Sequence, residues 1–170
     1  MRPKTRVIGI DPGYERLGLA VLERHQNEND TLVFSDCIKT SPKQKHSERL
    51  LHISVSLDRY IEEYKPNVLA IESIFFNTNQ KTVTKVSEAR GVVISRAAFF
   101  GLEVCEFNPL QIKQAVTGHG RSDKKQVISM VSKIVKIDKK IEHDDEYDAI
   151  AIGLTCLAFG FRLGMNRYYL

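Results

Sequence analysis

Apolar positions along this chain change period several times, and each change marks an element. Val7-Ile8-Gly9-Ile10 is a short apolar run ending in Asp11, after which Pro12-Gly13 turns the chain. Residues 17–22 read as a second strand, 25–30 as a polar turn and 31–37 as a third strand. Connections this short predict an antiparallel meander. The polar stretch 39–45 reads as a loop. From about Ser47 the period becomes helical, with Leu50, Ile53, Leu57, Ile61 and Tyr64 on one side and Glu48, Arg49, Glu62 and Glu63 on the other. Lys65-Pro66-Asn67 stops that helix.

A fourth apolar run, Val68-Leu69-Ala70-Ile71, again ends in a carboxylate, Glu72. Residues 75–81 form a polar loop carrying Phe75 and Phe76. A long helix is expected over 82–100, its inner face made by Val86, Ala89, Val93, Ala97 and Phe100, with Gly91 interrupting it. Residues 102–107 read as a fifth strand. Asn108-Pro109 starts a helix, Asn as N-cap and Pro at the first helical position. A loop at 117–120 follows. Ser122 or Asp123 caps the next helix, in which Val127, Val131, Ile134 and Val135 are expected to face inward. A charged connection, 137–143, leads to a final apolar helix beginning near Asp145. The whole is one mixed five-stranded α/β domain, without repeats or linkers.

Composition narrows the picture a little. The 170 residues suffice for one domain with a substantial core. A net charge of +4 and a pI near 8.9 are mildly basic, a weak pointer to a polyanionic partner. Cys37, Cys105 and Cys156 match no zinc spacing and suit reduced thiols. The N-terminus leads directly into a strand with no signal segment, and the apolar stretch 149–161 is too short to span a bilayer. The expectation is a cytoplasmic protein, not a membrane one.

The chemistry lies in the carboxylates. Asp11 and Glu72 both end apolar strands, an expensive position for a charge unless something neutralises it. Asp145 and Asp148, three apart, share a face in the first turn of the last helix, where the helix dipole alone could also account for them. Asp144, four before Asp148, competes with Asp145 for the same role. Oxygen ligands without a Cys or His constellation favour magnesium or manganese over zinc. Two such ions about 4 Å apart can activate water and stabilise a leaving oxygen in phosphoryl displacement. Lys113 and Lys124 are candidates for phosphate contacts, with Arg121 and Lys125 beside them, and Phe75 or Phe76 could stack on an unpaired base. The spacing Asp11-x-Gly13-x-x-x-x-Gly18 also suits the phosphate hairpin of two-lobed ATPases, but the chain is about half the size that architecture needs.

Five segments in order sharpen this: Gly9-Ile10-Asp11-Pro12-Gly13, Ala70-Ile71-Glu72-Ser73-Ile74-Phe75-Phe76, Ser87-Glu88-Ala89-Arg90-Gly91, the stretch from Pro109 to Gly118, and Asp145-Glu146-Tyr147-Asp148-Ala149-Ile150-Ala151. Together they resemble the RuvC family of Holliday-junction resolvases, over nearly the whole chain. The resemblance implies an RNase H-like fold of the retroviral integrase superfamily. It implies a metal site of Asp11, Glu72, Asp145 and Asp148, with Asp11 bridging two Mg2+ ions that Mn2+ could replace. It implies a homodimer that nicks two strands of like polarity symmetrically at a four-way DNA junction, leaving 5′-phosphate and 3′-hydroxyl ends. Phe75 matches the base-stacking aromatic, Lys113 and Lys124 match lysines needed for activity and DNA contact, and Arg90 and Gly91 fall on the dimer-interface helix. Contact with branch-migration proteins of the same pathway is also implied. Two other readings stay open: a catalytically silent nucleic-acid-binding module of the same fold, and an ATPase-like nucleotide binder.

Overall fold

The computed structural model describes residues 5–24, 29–74 and 80–159. Its strands are β1 (Thr5–Asp11), β2 (Arg16–Arg24), β3 (Thr31–Lys39), β4 (Val68–Glu72) and β5 (Glu103–Phe107). They form one sheet in the order β3-β2-β1-β4-β5. The first three strands are the expected antiparallel meander, while β4 joins β1, and β5 joins β4, in parallel. Each parallel crossover carries a helix: α1 (His46–Tyr64) before β4 and α2 (Gln80–Phe99) before β5. Three more follow, α3 (Pro109–Thr117), α4 (Lys124–Ile134) and α5 (Asp144–Ala158).

Both faces of the sheet are buried, which is why its central strands read as continuous apolar runs rather than alternating ones. Side chains alternate between the faces. Val7, Ala20, Leu22, Val68 and Ala70 pack with α3, α4 and α5, whereas Ile8, Ile10, Leu19, Val21, Leu69 and Ile71 pack with α1 and α2.

Local signals hold well. Asn108 caps α3 through the Gln111 amide, and Asp123 caps α4 through that of Gln126. Ser122, the other candidate cap, is buried and bonded to Thr117 instead. Three expectations fail. Arg49, expected on the polar side of α1, is buried, because its guanidinium donates to the Thr40 hydroxyl and lies over the Tyr14 ring. Ile134 ends α4 and is 38% exposed, because the helix stops there and the chain turns Val135 inward instead. Gly91 does not interrupt α2, which runs through it unbroken on an exposed face. Its lower helix propensity is a loss of about 1 kcal/mol that a packed 20-residue helix absorbs.

Candidate active site

Strand alternation by itself aims the first two carboxylates. Val7 and Gly9 face α5, so Asp11 at the end of β1 faces the same way. On β4, Val68 and Ala70 do the same for Glu72. The parallel register sets Ile10 against Ile71, which places Asp11 beside Glu72 on adjacent strands about 4.8 Å apart. Both line a cavity of about 310 Å³ with Pro12, Ser73 and Pro109.

The second two arrive on α5, and glycines let that helix come close. A Cβ at Gly9 would lie 2.3 Å from the Ala149 carbonyl oxygen, and one at Gly18 only 1.9 Å from that of Asp145. Backbone-to-backbone packing of this kind tolerates no side chain. It brings the first turn of α5 against β1 and β2, carrying Asp145 and Asp148 to the open strand ends. The sequence alone could not choose between Asp144 and Asp145. In the structure Asp145 lies over Gly18 and its charge bears on Asp11, while Asp144 sits outside at 62% side-chain exposure.

Four carboxylates in one place repel one another. Burial, then the charges of Asp148, Glu72 and Asp145, push the Asp11 carboxyl up to about 8, with Lys124 pulling the other way. Burial and Asp148 raise Glu72 to about 7, eased by Lys113. Asp148 is also raised, first by burial, against the pull of Lys124. Cations answer on one side. Lys124 Nζ stands 3.1 Å from Asp148 and 3.3 Å from Asp144, and Arg16 Nε stands 3.2 Å from Asp145. Burial works against the charge on Lys124, but its hydrogen bonds to Asp148 and Asp144 raise its pKa on balance.

Lys113 and Lys124 line a second cavity of about 240 Å³ that shares Glu72 and Pro109 with the first and reaches Asp148. Arg121 and Lys125 are exposed beside it. Phe75 and Phe76 lie outside the described residues. His143 is the N-cap residue of α5 without a side-chain cap bond, and its Nε2 is buried with no hydrogen-bond partner. Arg16 was not singled out by any sequence pattern, since a basic residue opening a strand is ordinary until the fold sets it against Asp145. Arg90 turns its guanidinium onto the Glu72 carbonyl and Glu106 of its own chain.

Comparison with known proteins decides the family. A profile of the family described as crossover junction endodeoxyribonuclease RuvC matches residues 7–156. The chain is 43% identical over 155 residues to the crossover junction endodeoxyribonuclease RuvC of Finegoldia magna, covering 91% of this chain and 93% of that protein. It belongs to the RuvC family. The RuvC of Alkaliphilus metalliredigens is 41% identical over 148 residues, 87% of this chain and 90% of the relative. The structure of T. thermophilus RuvC in complex with a Holliday junction substrate superposes with a TM-score of 0.85 at 32% identity, covering 91% of this chain and 94% of that one. The yeast mitochondrial Holliday junction resolvase, at 12% identity and a TM-score of 0.69, shares the fold. The expected RNase H-like architecture is therefore the observed one, and the chain is an endonuclease of the metal-dependent RuvC family.

Proposed function

We propose that this chain resolves Holliday junctions as a homodimer, nicking two strands of like polarity by hydrolysis that leaves 5′-phosphate and 3′-hydroxyl ends. The observation that carries the reading is a pair of adjoining cavities that share Glu72, one lined by Asp11 and the other by Asp148, Lys113 and Lys124, with Asp145 near enough for its charge to bear on Asp11. No three His, Cys, Asp or Glu side chains among the described residues already stand close enough together to hold a metal ion. The donor chemistry nonetheless fits one. An all-oxygen set surrounds an Asp11 whose charge burial and three neighbouring carboxylates make costly, and a hard divalent cation relieves that cost. Mg2+ is the proposed ion, with Mn2+ as substitute and two ions per subunit.

Asp11 and Glu72 would hold the cation from the sheet, Asp145 and Asp148 from α5. When bound, it supplies the positive charge that activates water and stabilises the leaving oxygen. Lys113 and Lys124 grip phosphate oxygens beside the scissile bond, and Arg121 and Lys125 extend that grip along the backbone. Lys124 would exchange Asp148, which it meets at 3.1 Å, for a phosphate oxygen, leaving that carboxylate free to hold the ion. No protein nucleophile is needed. The dimer reading draws on α1 and α2. Leu51 and Val55 are exposed there, and Gly91 lines a groove of about 410 Å³ with Leu50, Leu51 and Val92. Cys37, Cys105 and Cys156 are free and buried, which suits a reducing cytoplasm.

The test is incubation with a synthetic four-way junction and with a linear duplex, with and without Mg2+. Symmetric nicks on the junction alone, dependent on Mg2+, are expected. Asp148→Asn should bind the junction and leave it uncut. A wild-type protein that binds junctions and never nicks them would make this a silent binding module.

A further inference from the structure

Glu72 carries a backbone problem that its side chain hides. In a strand, successive residues turn their N–H and C=O groups to opposite neighbours. The Ser73 amide donates to Phe107 of β5, so the Glu72 carbonyl is turned the other way, toward β1. In the parallel register that sets Ile10 against Ile71, its donor would be the N–H of residue 12. That residue is Pro12, which has none. The carbonyl instead accepts from Arg90 Nε of α2 at 3.2 Å. The same guanidinium pairs through Nη2 with Glu106, which lies opposite Ile71 on β5. The Arg90 side chain is only 18% exposed.

We infer that Arg90 is a positioning residue for Glu72, supplying the strand hydrogen bond that Pro12 cannot give and tying the end of β4 to α2 and β5. It works on the backbone. The charges that bear on the Glu72 carboxylate are Asp148 and Lys113, and Lys113 is the cation that eases it. A carboxylate on the last residue of a strand swings with its peptide plane, and a ligand whose support is removed holds its metal less well. The role differs from the dimer-interface place that the resemblance gives Arg90, which Gly91, on the exposed face of α2, is better shaped to fill.

The inference rests on reading Glu72 as a metal ligand, so the test measures metal binding directly. Mn2+ is titrated into the protein without DNA and followed by electron paramagnetic resonance, while sedimentation reports the oligomeric state. Arg90→Ala should weaken Mn2+ binding about 10-fold and leave the dimer intact. Arg90→Lys, with one donor able to reach the carbonyl, should recover part of that loss. The decisive arm is Pro12→Ala, which restores an N–H at residue 12. In that background Arg90→Ala should cost clearly less than it does alone, a coupling read as a double-mutant cycle. Unchanged Mn2+ affinity in Arg90→Ala, or loss of the dimer with affinity retained, would overturn the role. So would equal losses from Arg90→Ala with and without the Pro12→Ala change. If the wild-type protein binds no Mn2+ at all, the metal-site reading falls first and this inference with it.

Discussion

The two halves of the carboxylate site are built on different principles. Asp11 and Glu72 stand on the ends of neighbouring parallel strands, and the sheet register fixes their spacing. They meet Lys124 and Lys113 only as neighbouring charges, and their carboxyls are pushed up to about 8 and about 7. Asp145 and Asp148 ride on one helical turn, and each has a direct cation partner, Arg16 and Lys124. One half is rigid and short of positive charge. The other is already paired, through side chains that can let go. The rigid half therefore creates the demand for a cation, and the helical half is able to rearrange around what arrives.

Removing the charge on the rigid side tests that contrast most severely. Asp11→Asn should abolish junction nicking and, at the same time, stabilise the metal-free protein at alkaline pH. The sign follows from the raised pKa. A carboxyl whose folded pKa lies above its unfolded value contributes stability fully present below the unfolded pKa and lost as pH rises through the folded one. The metal-free wild type should accordingly lose thermal stability from about pH 4 to pH 8, and Mg2+ should restore it increasingly across that window. Asp11→Asn should flatten the slope. A wild-type midpoint that rises over the same range would show that the strand pair is not short of positive charge.

The join between the halves comes next. Gly18→Ala places a Cβ 1.9 Å from the Asp145 carbonyl oxygen, so α5 or β2 must shift. Urea unfolding should register a loss of about 1–3 kcal/mol. Nicking should fall more than junction binding does, because the helix pair moves off the strand pair. Full activity with unchanged stability would mean that the close approach at Gly18 is not needed.

The smallest effect belongs to the helical half's own partner. Arg16 is 54% exposed, so Arg16→Ala should change stability by less than about 0.5 kcal/mol. A loss of several kcal/mol would mean that Asp145 is held as firmly as the strand carboxylates, and the contrast would dissolve.

Much of this was readable in advance. Apolar runs ending in Asp11 and Glu72, the Asn108-Pro109 start and the helical period after Ser47 are local signals, set by a few neighbouring residues. What went wrong or stayed open turned on where an element ends or on which distant group it meets. Ile134 has the spacing of a core residue, but its helix ends before that side chain reaches the core. Asp144 and Asp145 are equivalent by spacing, and only the contact of Gly18 with the backbone at 145 selects one. Arg16 was invisible as a site residue and Arg90 was expected only at a dimer interface, because the group that each touches, Asp145 and the Glu72 carbonyl, is remote in the chain.

The sequence by itself determined the elements, the meander of the first three strands and the carboxylates that end β1 and β4, since strand alternation and helix period are properties of short stretches. Its motifs also carried the family. Tertiary structure decided which acidic residue of α5 meets Asp11, which cations restrain the helical carboxylates, and how the Glu72 carbonyl is satisfied beside a proline. Those are meetings between strands and helices far apart in the chain. Their outcome depends on the register of β1 with β4 and on how closely α5 can approach the sheet, and no local stretch encodes either.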